Sequence, residues 1–311
     1  MKRILAIVLA LMMVLGLAAC GAKTLNFTTG GDQGTYYAFG GVMAQKISEV
    51  TKTSVTAITS GGSKANIEAL EAGDAQFGFV QSDVMAYAYA GTRLFDEAVK
   101  GFSTVAALYM EQVQIVTLDP AIKTVADLKG KNVSIGAAGS GVYFNAIDVL
   151  GAYGLTESDI NPTYQSFGDS AEALQDGKID AAFIVAGAPT NAVTSLAATK
   201  DVYLVSLDEE HINALVAGSP YYTKYVIPAA TYGMPEDATT VAVGAVVIAR
   251  DDVSKDDVYN FVSAVFNNLG NLAHDKAKEL SLDFATSVTD VPYHPGAAAY
   301  FAEQGITVPQ K

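Results

Sequence analysis

Four short stretches rich in glycine, hydroxyl and amide side chains are the places where this sequence can hold a small anion. The first, Thr29-Gly30-Gly31-Asp32-Gln33-Gly34-Thr35-Tyr36-Tyr37, joins an apolar run to a helical pattern. Its glycines let the backbone turn tightly and aim amide groups at a ligand over the helix start. Tyr36 and Tyr37 stand where a nucleotide P-loop carries lysine, so the stretch is not a P-loop. The second, Ser60-Gly61-Gly62-Ser63-Lys64-Ala65-Asn66, repeats the arrangement. Ser63 takes the N-cap position there, and Asn66 lies one turn into the helix facing the same loop. Gln81-Ser82-Asp83 adds polar groups at a third strand end, where Asp83 reads equally as a cap of its own helix. The fourth, Gly136-Ala137-Ala138-Gly139-Ser140-Gly141, is again a strand-to-helix turn. A single glycine loop is as readily a structural turn as a site, whereas repeated loops at strand ends point to an anion cradle.

Catalytic parts are wanting. His211, His274 and His294 are scattered without metal-ligand spacing, Cys20 is the single cysteine, and no Gly-x-Ser-x-Gly elbow occurs. No enzyme, cofactor or metal site is expected, and His294 before Pro295 reads as a packing or capping residue. Beyond the amino terminus the arginines are Arg93 and Arg250, neither in a glycine loop. Capture of an anion would then rest on backbone amides, helix starts and hydroxyl or amide side chains. Among the aromatics Tyr36, Tyr37, Tyr109, Tyr143 and Phe167, we expect Tyr36 and Tyr109 to reach the site and the others to pack. Glu111 suits either an amino group or a hinge, and Lys64 reads as a solvated helix lysine.

The elements that must position these loops are α/β units. Short β-rich runs at 25–28, 55–59 and 77–80 alternate with helical patterns at 36–50 and 64–72. A second series places strands at 133–135, 163–166, 181–185 and 202–207, with helices at 142–152, 170–175 and 190–198. The nearly continuous apolar run at 241–249 suits a central strand, followed by a helix over 255–269. This alternation suggests a parallel sheet covered on both faces. Crossovers near 112 and 239 would return the chain to its first lobe. The organisation expected is 20–112 plus 240–311 as lobe 1 and 113–239 as lobe 2, with a ligand cleft between them.

Residues 1–19 read as an export signal: Lys2 and Arg3, an apolar run from Ile4 to Leu15, then Leu17-Ala18-Ala19-Cys20. That run is shorter than the roughly 20 residues needed to span a bilayer. The placement of Cys20 resembles the lipobox of bacterial lipoproteins, which implies cleavage before it and a membrane anchor through lipid on its thiol. An ordinary signal with a leftover thiol is the alternative. The whole chain carries a formal charge of −14. Removing Lys2 and Arg3 leaves 17 basic against 33 acidic residues, or −16, which excludes nucleic-acid binding.

Seven motifs in order carry a family resemblance: Gly34-Thr35-Tyr36-Tyr37; Gly62-Ser63 with Asn66; Gln81-Ser82-Asp83; Gly139-Ser140-Gly141; Gly177-Lys178-Ile179-Asp180-Ala181-Ala182-Phe183; Ala186-Gly187-Ala188-Pro189; and His294-Pro295-Gly296-Ala297. Together they resemble the TAXI family of TRAP transporter solute receptors across nearly the whole exported chain. The resemblance implies a two-lobed, type II-like periplasmic-binding-protein fold and a small anionic ligand, an amino acid or dicarboxylate such as glutamate. It also implies sodium-coupled TRAP permease subunits as partners. The ligand positions it implies are Gly34, Thr35, Tyr36, Ser63, Asn66, Gln81, Asp83, Ser140, Gly141, Ala186 and Gly187, with Tyr109 added from the aromatic argument. The substrate receptor of an ATP-driven importer remains the alternative, and an exported enzyme on the same fold is a third reading.

Overall fold

The computed structural model describes residues 24–311; the export signal and Cys20 lie outside the described residues. Three parallel strands open the chain, β1 (Leu25–Thr28), β2 (Val55–Ile58) and β3 (Phe77–Gln81), with β1 between the other two. They are joined by α1 (Thr35–Val50) and α2 (Ser63–Ala72), and α3 (Ser82–Ala90) follows β3 directly. α2 stops at Gly73, whose φ of 82° is the left-handed conformation that glycine adopts without a Cβ penalty.

The chain then enters β4 (Phe102–Thr117), a strand of 16 residues that crosses from one half of the sheet to the other. The second half contains β5 (Asn132–Ser134), α4 (Val142–Ala152), β6 (Asn161–Thr163), α5 (Phe167–Gln175), β7 (Ala181–Ala186), α6 (Asn191–Ala197), β8 (Tyr203–Leu204), α7 (Glu209–Gly218) and β9 (Thr223–Ile227). β10 (Ala238–Arg250) carries the chain back, and α8 (Lys255–Phe266), α9 (Leu282–Ala285) and α10 (Pro295–Glu303) complete the first half.

Among the described residues these strands form one sheet in the order β2-β1-β3-β10-β4-β7-β5-β6, with β8 paired to β4 and β9 to β10. The two long strands do the joining. β10 pairs with β9 through Ala238–Ala242 and with β3 through Ala245–Ala249, both antiparallel. β4 runs antiparallel to β10 and gives its Gln112–Thr117 segment to β7.

Period-2 alternation along β10 explains the cores. Val247 and Ala249 enter a cluster with Phe27, Phe39 and Phe261, while Val246 and Ile248 point the other way toward Ile67, Leu70 and Met85. In the second half Val241 and Val243 join Val133, Val149 and Phe183, and Ile184, Val193 and Leu196 pack on the opposite face. Each fully buried Val or Ile contributes about 2 kcal/mol relative to exposure.

The sheet is therefore mixed rather than all parallel. Its parallel pairs lie toward the two ends, and the crossing strands β4 and β10 run against their neighbours because the chain changes halves twice. β6 lies two residues before the run at 163–166, with Pro162 tolerated because the strand is at the sheet edge. The run at 202–207 yields the two-residue β8.

Candidate functional site

The glycine loops converge where the two halves of the sheet meet. Gly34, Gly62 and Gly141 occupy the N-cap positions of α1, α2 and α4, so Ser63 is the first helical residue rather than the expected N-cap, and none of these helix starts receives a side-chain cap. Elsewhere Ser166, Asp208, Ser254, Ser281 and His294 cap their helices with a side-chain acceptor, whereas α3 after Gln81 and α6 after Thr190 also lack one. Three helix starts at one place thus keep first-turn N–H groups at the positive end of the helix dipole free of side-chain acceptors, although Ala65 N of α2 is taken by Gly139 O. Glycine is needed at Gly62, whose φ is 105° and whose Cβ would stand 3.2 Å from Ser140 Cα of the opposite half.

These starts surround a cavity of about 80 Å³, partly open to solvent and smaller than the usual small-ligand site. Of the twelve ligand positions read from the sequence, Gly34, Thr35, Tyr36, Ser63, Gln81, Ser140, Gly141 and Ala186 line it. Gln81 Oε1 and Ser140 Oγ are buried and have no hydrogen-bond partner. Buried polar atoms are normally paired, so two orphans facing one cavity mark acceptor and donor capacity held for something else. Among the described residues of its wall there is no lysine or arginine.

The other four positions are brought near but do not line it. Asn66 is fully buried, and its Nδ2 donates to the carbonyls of Thr29 (2.7 Å) and Phe79 (2.6 Å), which ties the first loop to β3. Asn66→Ala removes that donor from two carbonyls and is expected to lower the thermal midpoint by about 5 °C or more, read by circular dichroism without ligand. Asp83 is buried beside the cavity, accepts from Asn145 Nδ2 at 2.9 Å, and burial raises its carboxyl to about 7. Tyr109 is buried between Phe39 and Phe79 with an unpartnered hydroxyl and the Lys276 ammonium 5.5 Å from its ring centre. The carbonyl of Gly187 accepts from Thr35 Oγ1 at 2.8 Å, a bond between the two halves.

The same seam carries further cross-links. Ala65 N donates to Gly139 O (3.0 Å), Ala192 N to Gln33 O (3.2 Å) and Gln81 Nε2 to Asn145 Oδ1 (2.8 Å). Arg93 pairs with Asp148 at 2.7 Å. The two sides of the cavity are thus in contact.

Glu111, which by sequence alone suits an amino group or a hinge, belongs to the wall. It lines the cavity, is 2% exposed, and accepts from the Tyr36 hydroxyl at 2.6 Å. Burial raises its carboxyl to about 8, and burial followed by the charge of Glu111 raises the Tyr36 phenol well above its usual range. The signal available was a lone acid inside the apolar run that became β4. Phe167 and its neighbours Gln165 and Ser166 also line the wall. Tyr37 is exposed, Tyr143 bonds Glu157, Lys64 pairs with Glu68, and Arg250 pairs with Asp252. Among the described residues no cluster of three or more His, Cys, Asp or Glu could hold a metal ion, and no helix is long and apolar enough to cross a membrane.

The model of the NMT1-like family matches residues 27–305. Among solved structures, the alkanesulfonate-binding protein SsuA from Xanthomonas axonopodis pv. citri bound to MOPS is 19% identical, aligned over 92% of this chain and 85% of that one, with a TM-score of 0.51. PhnD1 from Prochlorococcus marinus (MIT 9301) in complex with methylphosphonate is 12% identical over 85% and 90% of the two chains, with a TM-score of 0.55. The GluR0 ligand-binding core with L-glutamate is 11% identical over 84% and 100%, with a TM-score of 0.51. The fold is the two-lobed α/β fold of periplasmic binding proteins. The family match corrects the sequence resemblance: membership lies with the NMT1-like proteins and not with the TAXI receptors, so the sodium-coupled TRAP permease is withdrawn as partner. Six of the seven motifs are strand-to-helix turns or helix starts and 177–183 is a helix-to-strand turn into β7, features of the fold that short matches do not assign to one receptor class.

Proposed function

Because the chain belongs to the NMT1-like family, we propose that it is an extracytoplasmic receptor that holds a small anionic ligand in the cleft and passes it to the permease of an ATP-driven importer. The observation that carries this reading is the convergence of three helix starts without side-chain caps on one cavity, beside the orphaned Gln81 Oε1 and Ser140 Oγ. Such a site stabilises an anion by oriented N–H groups rather than by a countercharge. Alkanesulfonate binding, methylphosphonate and L-glutamate, named for the three similar structures, share the small anionic group that this site suits.

Lobe 1 in this reading is 20–112 plus 240–311 and lobe 2 is 113–239. Gly34, Thr35, Tyr36, Ser63, Gln81, Ser140, Gly141 and Ala186 touch the ligand, while Asn66, Asp83, Tyr109 and Gly187 hold that wall from behind. The task is capture and release, with no bond made or broken. Residues 1–19 direct export and Cys20 carries the lipid that keeps the receptor at the membrane.

Native mass spectrometry of protein beginning at Cys20, followed by denaturing analysis of what it releases, tests the ligand class. A small carboxylate, sulfonate or phosphonate bound one per chain is the expected result. A neutral or bulky molecule, or measurable turnover of the bound compound, would contradict it.

A further inference from the structure

The anion reading leaves one wall residue unused. Glu111 is an acid in a cavity otherwise lined by helix starts, hydroxyls, two amides and apolar groups. One of its oxygens accepts from Tyr36, whose ring is stacked on Phe79 at 4.5 Å and 6° and is therefore fixed in place. A carboxyl so held is a poor neighbour for a second anion and a good one for a cation.

We propose that Glu111 is a specificity residue that takes the ammonium group of a zwitterionic ligand, one whose acid group sits at the helix starts of α1, α2 and α4. The inference rests on the anion-receptor reading and narrows it to aminocarboxylates, aminosulfonates or aminophosphonates. A zwitterion satisfies both ends of the cavity: the oriented N–H groups take the acid and Glu111 takes the amine. A ligand with acid groups alone leaves Glu111 facing a charge of its own sign or obliges it to stay protonated.

Proton linkage follows from the surroundings. Facing Glu111 are Tyr36 from α1, Tyr109 from β4, Asp83 from α3 and Lys276 from the turn after α8. Burial raises the Glu111 carboxyl to about 8, helped by Asp83 and opposed by Tyr36 and Lys276. At pH 7 the empty site therefore holds a proton on Glu111. An ammonium favours the carboxylate, so binding expels that proton, and affinity for the amine-bearing ligand rises about tenfold per pH unit until the pH reaches about 8. Acid-only ligands gain nothing over that range.

The test uses pairs of probes that differ by the amine: L-glutamate and glutarate, taurine and ethanesulfonate, 2-aminoethylphosphonate and ethylphosphonate. Calorimetry in two buffers of different ionisation enthalpy reads affinity and proton release together. In whichever pair binds, the amine-bearing member is expected to bind about 100-fold tighter at pH 8 and to release close to one proton at pH 7. Glu111→Gln is expected to abolish the proton release and the amine preference while leaving the acid-only probe within about threefold. Because proton release is read on the unaltered protein, the result stands even if the variant folds poorly. Equal affinity within a binding pair, or an amine preference that survives Glu111→Gln, overturns the assignment of Glu111 and leaves the anion reading intact. Failure of all three pairs to bind overturns both.

Discussion

Gly141→Ala is expected to leave the protein folded and to weaken ligand binding by at least about 100-fold. Gly141 has φ −74° and ψ −21°, a conformation open to any residue, so an alanine there places no strain on α4. Its Cβ, however, would fall 1.5 Å from Gln81 Oε1, 2.5 Å from Gln81 Cδ and 3.0 Å from Ser63 Oγ. Gln81 cannot swing aside freely, because it is buried and its Nε2 donates to Asn145. Gly141 and Gln81 lie on opposite sides of the seam, so the clash exists only when the sides meet. The thermal midpoint of the empty variant should stay within about 3 °C of the parent. Its radius of gyration by small-angle scattering should no longer shrink when ligand is added. A variant that binds and contracts like the parent would mean that contact across the seam is not needed for capture.

Without ligand, the protein is expected to be more stable at pH 5 than at pH 8, with a midpoint difference on the order of 10 °C. Burial holds Asp83 at about 7 and Glu111 at about 8, both above the ordinary carboxylate range. Between about pH 4.5 and 8 the folded chain keeps protons that the unfolded chain has lost, so stability falls as pH rises across that window and levels off above it. Each group costs on the order of 4 kcal/mol once ionised in place. Exposed Asp208, held down to about 2 by His211, works in the opposite sense only as pH falls below its ordinary value. Midpoints of the parent and of the double variant Asp83→Asn, Glu111→Gln at the two pH values read this directly. The double variant should lose most of the difference; an equal difference in both proteins would place its origin in other groups.

Much of this was legible because local signals agree with the fold. The helix over 142–152 and the first strand at 25–28 fall where glycine turns and apolar periodicity put them. The apolar run at 241–249 is the heart of β10, whose side chains are buried on both faces. β4 was not legible as a strand. Glu111, Gln112 and Gln114 interrupt its apolar pattern, and the two amides are tolerated because buried partners exist: Gln114 Nε2 meets Ala186 O and Thr190 Oγ1, and Gln112 Oε1 accepts from Ala188 N. Such partners are distant in sequence, so no local rule finds them. β9 and α7 were missed for a different reason: β9 is a mostly exposed edge strand, and its pairing with β10 rather than its own composition defines it.

The site divides in the same way. Glycine loops announce helix starts, and eight of the twelve positions line the cavity. Asn66 sits one turn into α2 as spacing required, yet spacing could not say that its amide faces Thr29 and Phe79 rather than the cavity. Lys276 is 2% exposed, pairs with Glu279 at 2.6 Å and would collide with a Cβ at Gly187, a placement set by tertiary packing alone.

The most direct measurement is the mass of the small molecule that co-purifies with the parent protein and with Gly141→Ala, by native and then denaturing mass spectrometry. A single small acid on the parent, absent from the variant, is expected of a receptor that holds its ligand between closed lobes. The same molecule on both proteins in equal amount, or none on either after purification and addition of the probe pairs, would contradict capture at this cleft.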